Sequence, residues 1–261
     1  MRVRRLLLNV LVSMLAVVPG CSDDDDDNAV DAADDDNEES APNCWDAPGD
    51  AATSASMTLR LEPEYYIEQS LKYFDTLDSY ADPHSIPNYS ELVARWEWPP
   101  WLKLTGFGDE SMIWLDLLLR LYPTAVRERD CEAFSVQPFG RCHVVFYYQE
   151  RPCAIYEEFT FNDQGEMTFI EAWSDIPGLL PTTDPGDYWA EGADVHRLST
   201  KIPGLGNAAG LIDLDSDCML EARKEDEDVA DFVKHAEAPV FYWILELLNS
   251  GDDMMRVGCE E

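Results

Sequence analysis

The distribution of charge along the chain limits where a folded domain can begin. No lysine or arginine occurs between Arg5 and Arg60, and acidic residues crowd this stretch, most densely in the run Asp23–Asp27. Like charges at this density repel one another, and few apolar side chains are available to bury. We therefore expect residues 21–57 to form an acidic, disordered tether that acts as a spacer. A calcium-binding or sorting role for the tether is the alternative.

The remaining composition favours a compact domain and argues against some partners. The formal net charge is −35, so the surface repels nucleic acid phosphates, and we expect no nucleic-acid binding. Aromatic residues make up 11% of the chain and hydrophobic residues 46%, which is enough for a real core. About two hundred residues follow the tether, a length that suits one domain with an extension.

The N-terminus has the layout of an export signal. Three arginines precede the apolar stretch Leu6–Val18, and these are Arg2, Arg4 and Arg5. A helix needs roughly twenty residues to cross a bilayer, so this stretch is too short to span one and matches the apolar region of a signal peptide. We therefore expect residues 1–20 to be removed on export.

The end of this segment resembles the lipobox of bacterial lipoproteins. Val18, Pro19 and Gly20 precede Cys21, in the pattern of an apolar residue, two mostly small residues and a cysteine. The resemblance implies a lipid, with palmitate among its acyl chains, on Cys21, and hence a membrane anchor. Ser22 then implies sorting to the outer membrane of a Gram-negative bacterium. An ordinary signal peptide, with Cys21 as a chance thiol, is the alternative.

The chain contains seven cysteines. An even set remains once Cys21 is set aside: Cys44, Cys131, Cys142, Cys153, Cys218 and Cys259. In an exported protein such a set indicates disulfide bonds, although six cysteines allow fifteen pairings and the sequence selects none. A metal site or a catalytic thiol is the alternative, but no pair has C-x-x-C spacing.

The hydrophobic pattern predicts an α+β fold. Helical spacing covers residues 63–77, about 88–95 and 109–122, and then a period of two covers residues 126–136, 141–149, 154–161 and 167–174. Helices followed by a strand meander indicate N-terminal helices packed on a curved antiparallel sheet. The tryptophans Trp96, Trp98 and Trp101 are interpreted as core or lid packing, with a stacking platform as the alternative.

Residues 176–261 are predicted to be an extension packed on this domain. We expect a strand over residues 195–202, an acidic helix over about 225–237 and a very apolar helix over 240–248. The apolar helix is too short to span a bilayer.

The last predicted hairpin, Phe159–Met167 followed by Ile170, Trp173 and Asp175, resembles the closing hairpin of the nuclear transport factor 2-like superfamily. The similarity is greatest to its polyketide-cyclase-like (SnoaL-like) members. It covers roughly residues 60–175 and implies a cone-like domain over residues 58–175, with a mouth for a small apolar ligand. The chain departs from the small members of the superfamily by continuing for more than eighty residues after Asp175.

No catalytic signature such as G-x-S-x-G, H-E-x-x-H or a P-loop is present. The resemblance implies that an enzyme of this kind would place a carboxylate or histidine inside the cone, and the strands offer His143, Tyr147, Tyr156, Glu158, Glu171 and Asp175. The acidic spacing of Asp213, Asp215 and Asp217 begins like a calcium loop. Cys218 stands where such a loop needs glycine and Lys224 where it needs glutamate, so we expect a solvated turn, no metal and no cofactor.

Two functions remain open from the sequence. The favoured one is a lipid-anchored extracytoplasmic domain that binds a small molecule or a partner protein without catalysis. The alternative is a cone-pocket enzyme of the isomerase, cyclase or dehydratase type, with a buried carboxylate or histidine as its acid or base. Several polar groups from different strands converging in a closed apolar pocket would favour the enzyme, and a filled cone would favour the interaction module.

Overall fold

A computed structural model describes residues 59–98, 105–120, 124–148, 151–174, 182–184, 186–191, 195–205 and 212–250. The predictions for the signal peptide, Cys21 and the tether lie outside these residues. Within them, no helix is both long and apolar enough to cross a membrane.

The described residues form a mixed α+β structure with a curved, unclosed six-stranded sheet and several helices. The helices are α1 (Pro63–Leu77), α2 (Asp109–Leu119), α3 (Asp217–Glu225), α4 (Glu227–Ala236) and α5 (Pro239–Ser250). The sheet contains β1 (Tyr89–Trp98), β2 (Gly106–Phe107), β3 (Thr124–Ala133), β4 (Gly140–Tyr148), β5 (Arg151–Phe161) and β6 (Met167–Ser174). A separate hairpin pairs β7 (Thr182–Asp184) with β8 (Asp187–Glu191).

The sheet has the strand order β2-β1-β6-β5-β4-β3. Strands β3 to β6 form the predicted antiparallel meander. The prediction of a helix over residues 88–95 is wrong, because this segment belongs to β1 and pairs in parallel with β6. The sheet is therefore mixed rather than purely antiparallel. Both faces of β1 are largely buried, which removes the simple alternation that marks a half-exposed strand.

Helix α1 covers one side of the sheet, which we call the front face. It begins with proline at its first position, where no backbone N–H is needed. The rings of Tyr66, Tyr73 and Phe74 pack at 5.0–5.8 Å from Phe159 and Phe161 of β5. A Cβ atom on Gly140 would lie 2.5 Å from the hydroxyl of Ser70 on α1, so the close approach of helix and sheet requires glycine there.

The other side, the back face, packs against residues that follow the sheet in sequence. Trp96, Phe169 and Trp173 share a buried cluster there with Leu198 and Phe232. The predicted strand over residues 195–202 is wrong, since Leu198–Thr200 form a short 3₁₀ helix. The acidic helix predicted over about 225–237 is confirmed as α4, which Asp226 caps by accepting hydrogen bonds from two of its backbone N–H groups. Helix α3, which precedes it, was not predicted.

Candidate functional site

A buried ion pair lies between the front face and the helices. Arg95 of β1 donates a hydrogen bond from Nη1 to Oδ1 of Asp116 on α2 at 2.8 Å, and both side chains are almost wholly buried. The same guanidinium lies 3.2 Å from the hydroxyl of Tyr73, while Thr76 of α1 donates to the second oxygen of Asp116 at 2.8 Å. Three elements therefore fix the position of one cation.

Two further carboxyl groups share this face with Arg95. Glu97 of β1 pairs in register with Ala172 of β6, and Ala172 pairs with Glu157 of β5. The three residues form one row across three strands, and all three side chains are on the front face. Neighbouring strands lie about 4.8 Å apart, so the two glutamate Cα atoms are about 10 Å apart, on either side of a methyl group. We call Arg95, Glu97, Asp116, Glu157 and Ala172 the front cluster.

The front cluster contains more acids than bases. Burial raises the pKa of Glu97 to about 7, although the nearby Arg95 opposes the shift. Burial also raises the pKa of Glu157 well above its usual value, and the charge on Glu97 adds to the shift. Burial raises the pKa of Asp116 too, with Arg95 acting against it. One arginine cannot neutralise three carboxylates, so protons remain on the cluster near neutral pH.

The polar groups of the front cluster are not all satisfied. Glu157 is 2% exposed, and its Oε2 atom has no hydrogen-bond partner among the described residues. The buried hydroxyl of Tyr89, whose pKa is raised by burial and further by the charge of Asp116, also lacks a hydrogen bond within that part of the chain. Glu97 is only partly buried. The arrangement can therefore bind a polar group or exchange a proton with one, and Glu97 is its most accessible member.

Most residues expected at a site from the sequence lie on the back face instead. Glu171 accepts hydrogen bonds from Trp98 Nε1 at 2.8 Å and from the backbone N–H groups of Leu198 and Ser199 at 2.5 and 3.1 Å. Burial raises its pKa to about 7 despite these donors. Glu171 thus holds the 3₁₀ helix against the sheet and is enclosed by it.

The other candidates on the back face also form hydrogen bonds or ring contacts with neighbouring residues. Glu158 accepts two hydrogen bonds from the guanidinium of Arg197, at 2.9 and 3.1 Å, and one from the hydroxyl of Tyr156 at 3.3 Å. The ring of His143 stacks on Tyr188 of β8 at 3.6 Å, and burial lowers the pKa of His143. The structure therefore brings Tyr156, Glu158 and Glu171 to one face, apart from the front cluster.

Tyr147 is on β4, next to the edge strand β3, and its hydroxyl donates to Glu128 of β3 at 3.1 Å. Asp175 lies outside the described residues.

The acidic turn predicted around Asp213 leads into α3. Ser216 caps that helix by accepting a hydrogen bond from the N–H of Met219 at 3.2 Å. Among the described residues, no group of three or more His, Cys, Asp or Glu side chains is arranged to hold a metal ion.

The predicted disulfide bonds are confirmed in part. Cys131 and Cys142 are register partners on β3 and β4 and form a disulfide bond. Cys153 and Cys218 are disulfide-bonded as well. Cys44 and Cys259 lie outside the described residues, and their pairing stays a prediction. In register, Cys142 lies next to Glu157, so the bridge borders the front cluster.

Sequence reasoning missed the front cluster. A weak signal was present: Arg95 and Glu97 alternate with two tryptophans, and Asp116 stands among apolar residues in the stretch Met112–Leu119. Charged residues in such surroundings indicate buried partners. The helical prediction for residues 88–95 placed Arg95 at the end of a helix and hid this alternation.

No known protein-family profile matches the sequence, and no curated protein matches it either. Among solved structures, the chain is similar to a de novo designed protein with a curved β-sheet, at 15% identity and a TM-score of 0.35, over 44% of this chain and 88% of that one. It is also similar to an uncharacterized protein conserved in bacteria with a cystatin-like fold, from Silicibacter pomeroyi. That similarity has 13% identity and a TM-score of 0.26, over 43% of this chain and 68% of the other. These TM-scores are too low to assign a fold family.

Proposed function

We propose that the chain is a lipid-anchored extracytoplasmic domain that binds a small molecule at the front cluster. In this proposal residues 58–175 form a cone-like, nuclear transport factor 2-like domain, residues 176–261 extend it, and Cys21 holds it at the outer membrane. The observation that carries the binding function is the unpaired, buried Oε2 atom of Glu157 beside Ala172.

Two physical arguments support a ligand at this position. A buried polar atom without a partner costs about 1–3 kcal/mol, so a native protein keeps one only for a reason such as binding. Apolar side chains also adjoin the cluster, since Ile170 and Phe159 occupy the neighbouring row with Arg95. Apolar walls with a few converging polar groups are the usual composition of a small-molecule site.

One observation favours the catalytic alternative. The pKa of Glu97 is raised to about 7, which suits a general acid or base at neutral pH, and a fixed guanidinium lies on the same strand two residues away. An isomerase, cyclase or dehydratase could use Glu97 to move a proton and Arg95 to stabilise developing negative charge. The enzyme is kept as the second candidate, because the back-face candidates suggested by the family resemblance take no part in the front cluster.

A fragment screen on the full exported chain tests the binding function. Ligand-observed NMR would compare the wild type with Ala172→Leu, which places a larger side chain between the two glutamates and leaves every charge in place. The matched control is Ala154→Leu, a strand alanine on the back face. We expect fragments that bind the wild type and the control but not Ala172→Leu. A library in which every hit binds all three proteins equally would overturn the proposal.

A further inference from the structure

Strand β3 forms one edge of the sheet, and the first part of that edge is covered. Thr124 exchanges two backbone hydrogen bonds with Ser79, at 2.8 and 3.1 Å. The N–H of Val126 donates to Asp78 at 3.2 Å, and its carbonyl oxygen accepts from the side chain of Arg129 at 3.0 Å. The residues that follow α1, together with one side chain of β3, therefore satisfy the outward backbone groups as far as Val126.

The rest of the edge is open. The N–H of Phe134 donates to the carbonyl oxygen of Phe139 across the turn between β3 and β4. Because paired and unpaired residues alternate along an antiparallel ladder, the backbone groups of Ala133, Cys131 and Arg129 point away from β4. Among the described residues, these outward N–H and C=O groups have no hydrogen-bond partner. A row of such groups on an edge strand is a template for a further strand.

The side chains beside the open edge are acidic on the back face. Glu128, Asp130 and Glu132 alternate along β3 on the same side as His143, and all three are exposed. Side chains on one face of a strand are about 7 Å apart, so the three carboxylates form a row along the edge. Arg129, on the front face, is already paired with two aspartates.

Two arginines adjoin this row of acids on its inner side. The guanidinium of Arg127 lies 4.7 Å from the ring of Tyr147, which belongs to β4. Arg141 is itself on β4, in register with Glu132, and its guanidinium lies 4.2 Å from the ring of Phe134. A strand added outside β3 would therefore meet the acids first.

A second copy of the chain does not fit the open edge. Opposed residues of antiparallel strands point to the same side of a sheet, so two copies of β3 would place their back-face acids against each other. In a pairing centred on Asp130, the two Asp130 side chains would meet, and Glu128 of each copy would face Glu132 of the other. Like charges directly opposite each other are destabilising. The edge therefore disfavours self-association and favours a basic partner.

We propose that residues 129–133 bind an extended, basic segment of a partner protein as an additional strand of the sheet. The backbone of the segment would bond to the outward groups of the open edge, and alternate lysine or arginine side chains would lie opposite the three acids. The formal net charge of −35 would attract such a segment over a longer range. This function is separate from ligand binding at the front cluster.

Three synthetic heptapeptides test the added strand on the full chain. The first alternates threonine with lysine, the second carries an N-methyl group on every threonine, and the third has glutamate in place of lysine. The threonine N–H groups are those that would face β3, so N-methylation removes the backbone donors and keeps every charge. By fluorescence anisotropy we expect the first peptide to bind about tenfold more tightly than the second, and the third not to bind.

A charge reversal tests the row of acids. Asp130→Lys should weaken binding of the threonine–lysine peptide about fivefold, because a favourable cross-strand pair becomes a repulsive one. Glu225→Lys, at the exposed end of α3, is the matched control with the same change in net charge, and it should bind the peptide like the wild type. Circular dichroism verifies that both variants fold.

Hydrogen exchange locates the peptide on the wild-type protein. In the free protein the amides of Arg129, Cys131 and Ala133 should exchange rapidly, because they have no partner, whereas those of Asp130 and Glu132, which point towards β4, should exchange slowly. Saturation with the threonine–lysine peptide should slow the first set about tenfold and leave the second set unchanged.

Several outcomes would overturn the proposal. Equal affinity of the N-methylated peptide, or binding without protection of the three outward amides, would show attraction by charge alone. Equal binding by Asp130→Lys and Glu225→Lys would exclude the row of acids from recognition. Failure of the threonine–lysine peptide to bind, or slow exchange of the outward amides in the free protein, would show that the edge is closed to a further strand.

Discussion

Glu97 and Glu171 lie on neighbouring strands and have similarly raised pKa values, but their surroundings give them different roles. Burial raises the pKa of each from 4.5 to about 7. Glu171 is surrounded by three hydrogen-bond donors that hold a backbone segment. Glu97 is part of the front cluster and keeps some exposure. The surroundings therefore give Glu171 a structural role and leave Glu97 available to a ligand.

Both glutamates make the fold more stable in mild acid. A carboxyl group whose pKa is raised in the folded state holds a proton that the unfolded chain releases, so its contribution is present below about pH 4.5 and is lost as the pH rises through about 7. We expect Glu97→Gln to be more stable than the wild type near pH 8 by about 1–2 kcal/mol, because the buried charge is removed. The gain should disappear near pH 5, as measured by urea denaturation at both values.

Glu171→Gln is the contrasting variant. Its amide NH₂ group would face a backbone N–H that the carboxylate now satisfies, so we expect a loss of about 1–3 kcal/mol near pH 8 rather than a gain. A stabilising effect of both substitutions would contradict the structural role assigned to Glu171. Equal destabilisation by both would contradict the unfavourable burial of charge at Glu97.

At the scale of elements, the β7–β8 hairpin is joined to the back face by aromatic contacts. Tyr188 stacks on His143 of β4 with the rings 3.6 Å apart and nearly parallel, and Trp189 lies 6.1 Å from Tyr156 of β5. Such contacts contribute about 0.5–1.5 kcal/mol each beyond the area they bury. A short hairpin of two strands is marginal by itself, so its position depends on these rings.

Removal of one ring tests this attachment. In Tyr188→Ala we expect the pKa of His143 to rise towards its usual 6.5, because the stacked ring is part of the burial that lowers it. Hydrogen exchange of the β7–β8 amides should accelerate, with little change in the melting temperature of the domain. An NMR titration of the histidine ring protons gives the pKa. Tyr188→Phe, which keeps the stacked ring, is the control, and an unchanged His143 titration in Tyr188→Ala would contradict the role of stacking.

At the level of the whole molecule, we propose that the N-terminal segment decides where the domain functions. We propose that Cys21 is acylated and that the acidic tether separates the domain from the membrane surface. The acyl chains on Cys21 contribute about 0.8 kcal/mol of membrane-binding free energy per buried methylene. Mass spectrometry of the mature N-terminus should show lipid on Cys21. Cys21→Ala should give a soluble or uncleaved product, while Cys44→Ala, a cysteine outside the lipobox, should stay with the membrane. An unlipidated mature wild-type protein would contradict the anchor.

Elements whose stability is local can be predicted from the sequence alone. Helix α1 begins and ends at the predicted residues, since proline at its start and apolar residues at helical spacing are all close in the chain. Strand β6 also matches its prediction, and the strands of the meander differ from theirs by a few residues, because consecutive strands joined by turns pair with their neighbours.

The identity of β1 and the position of the front cluster depend instead on long-range packing. Residues 88–95 carry helical spacing, yet they become a strand because β6, more than seventy residues later, supplies a parallel edge and both faces are then covered. The row Glu97–Ala172–Glu157 comes from three strands distant in sequence, and its registers follow from pairing rather than from any local pattern. Whether a glutamate such as Glu171 faces a ligand or holds a backbone segment depends on which face of the sheet it occupies, and that is set by long-range packing.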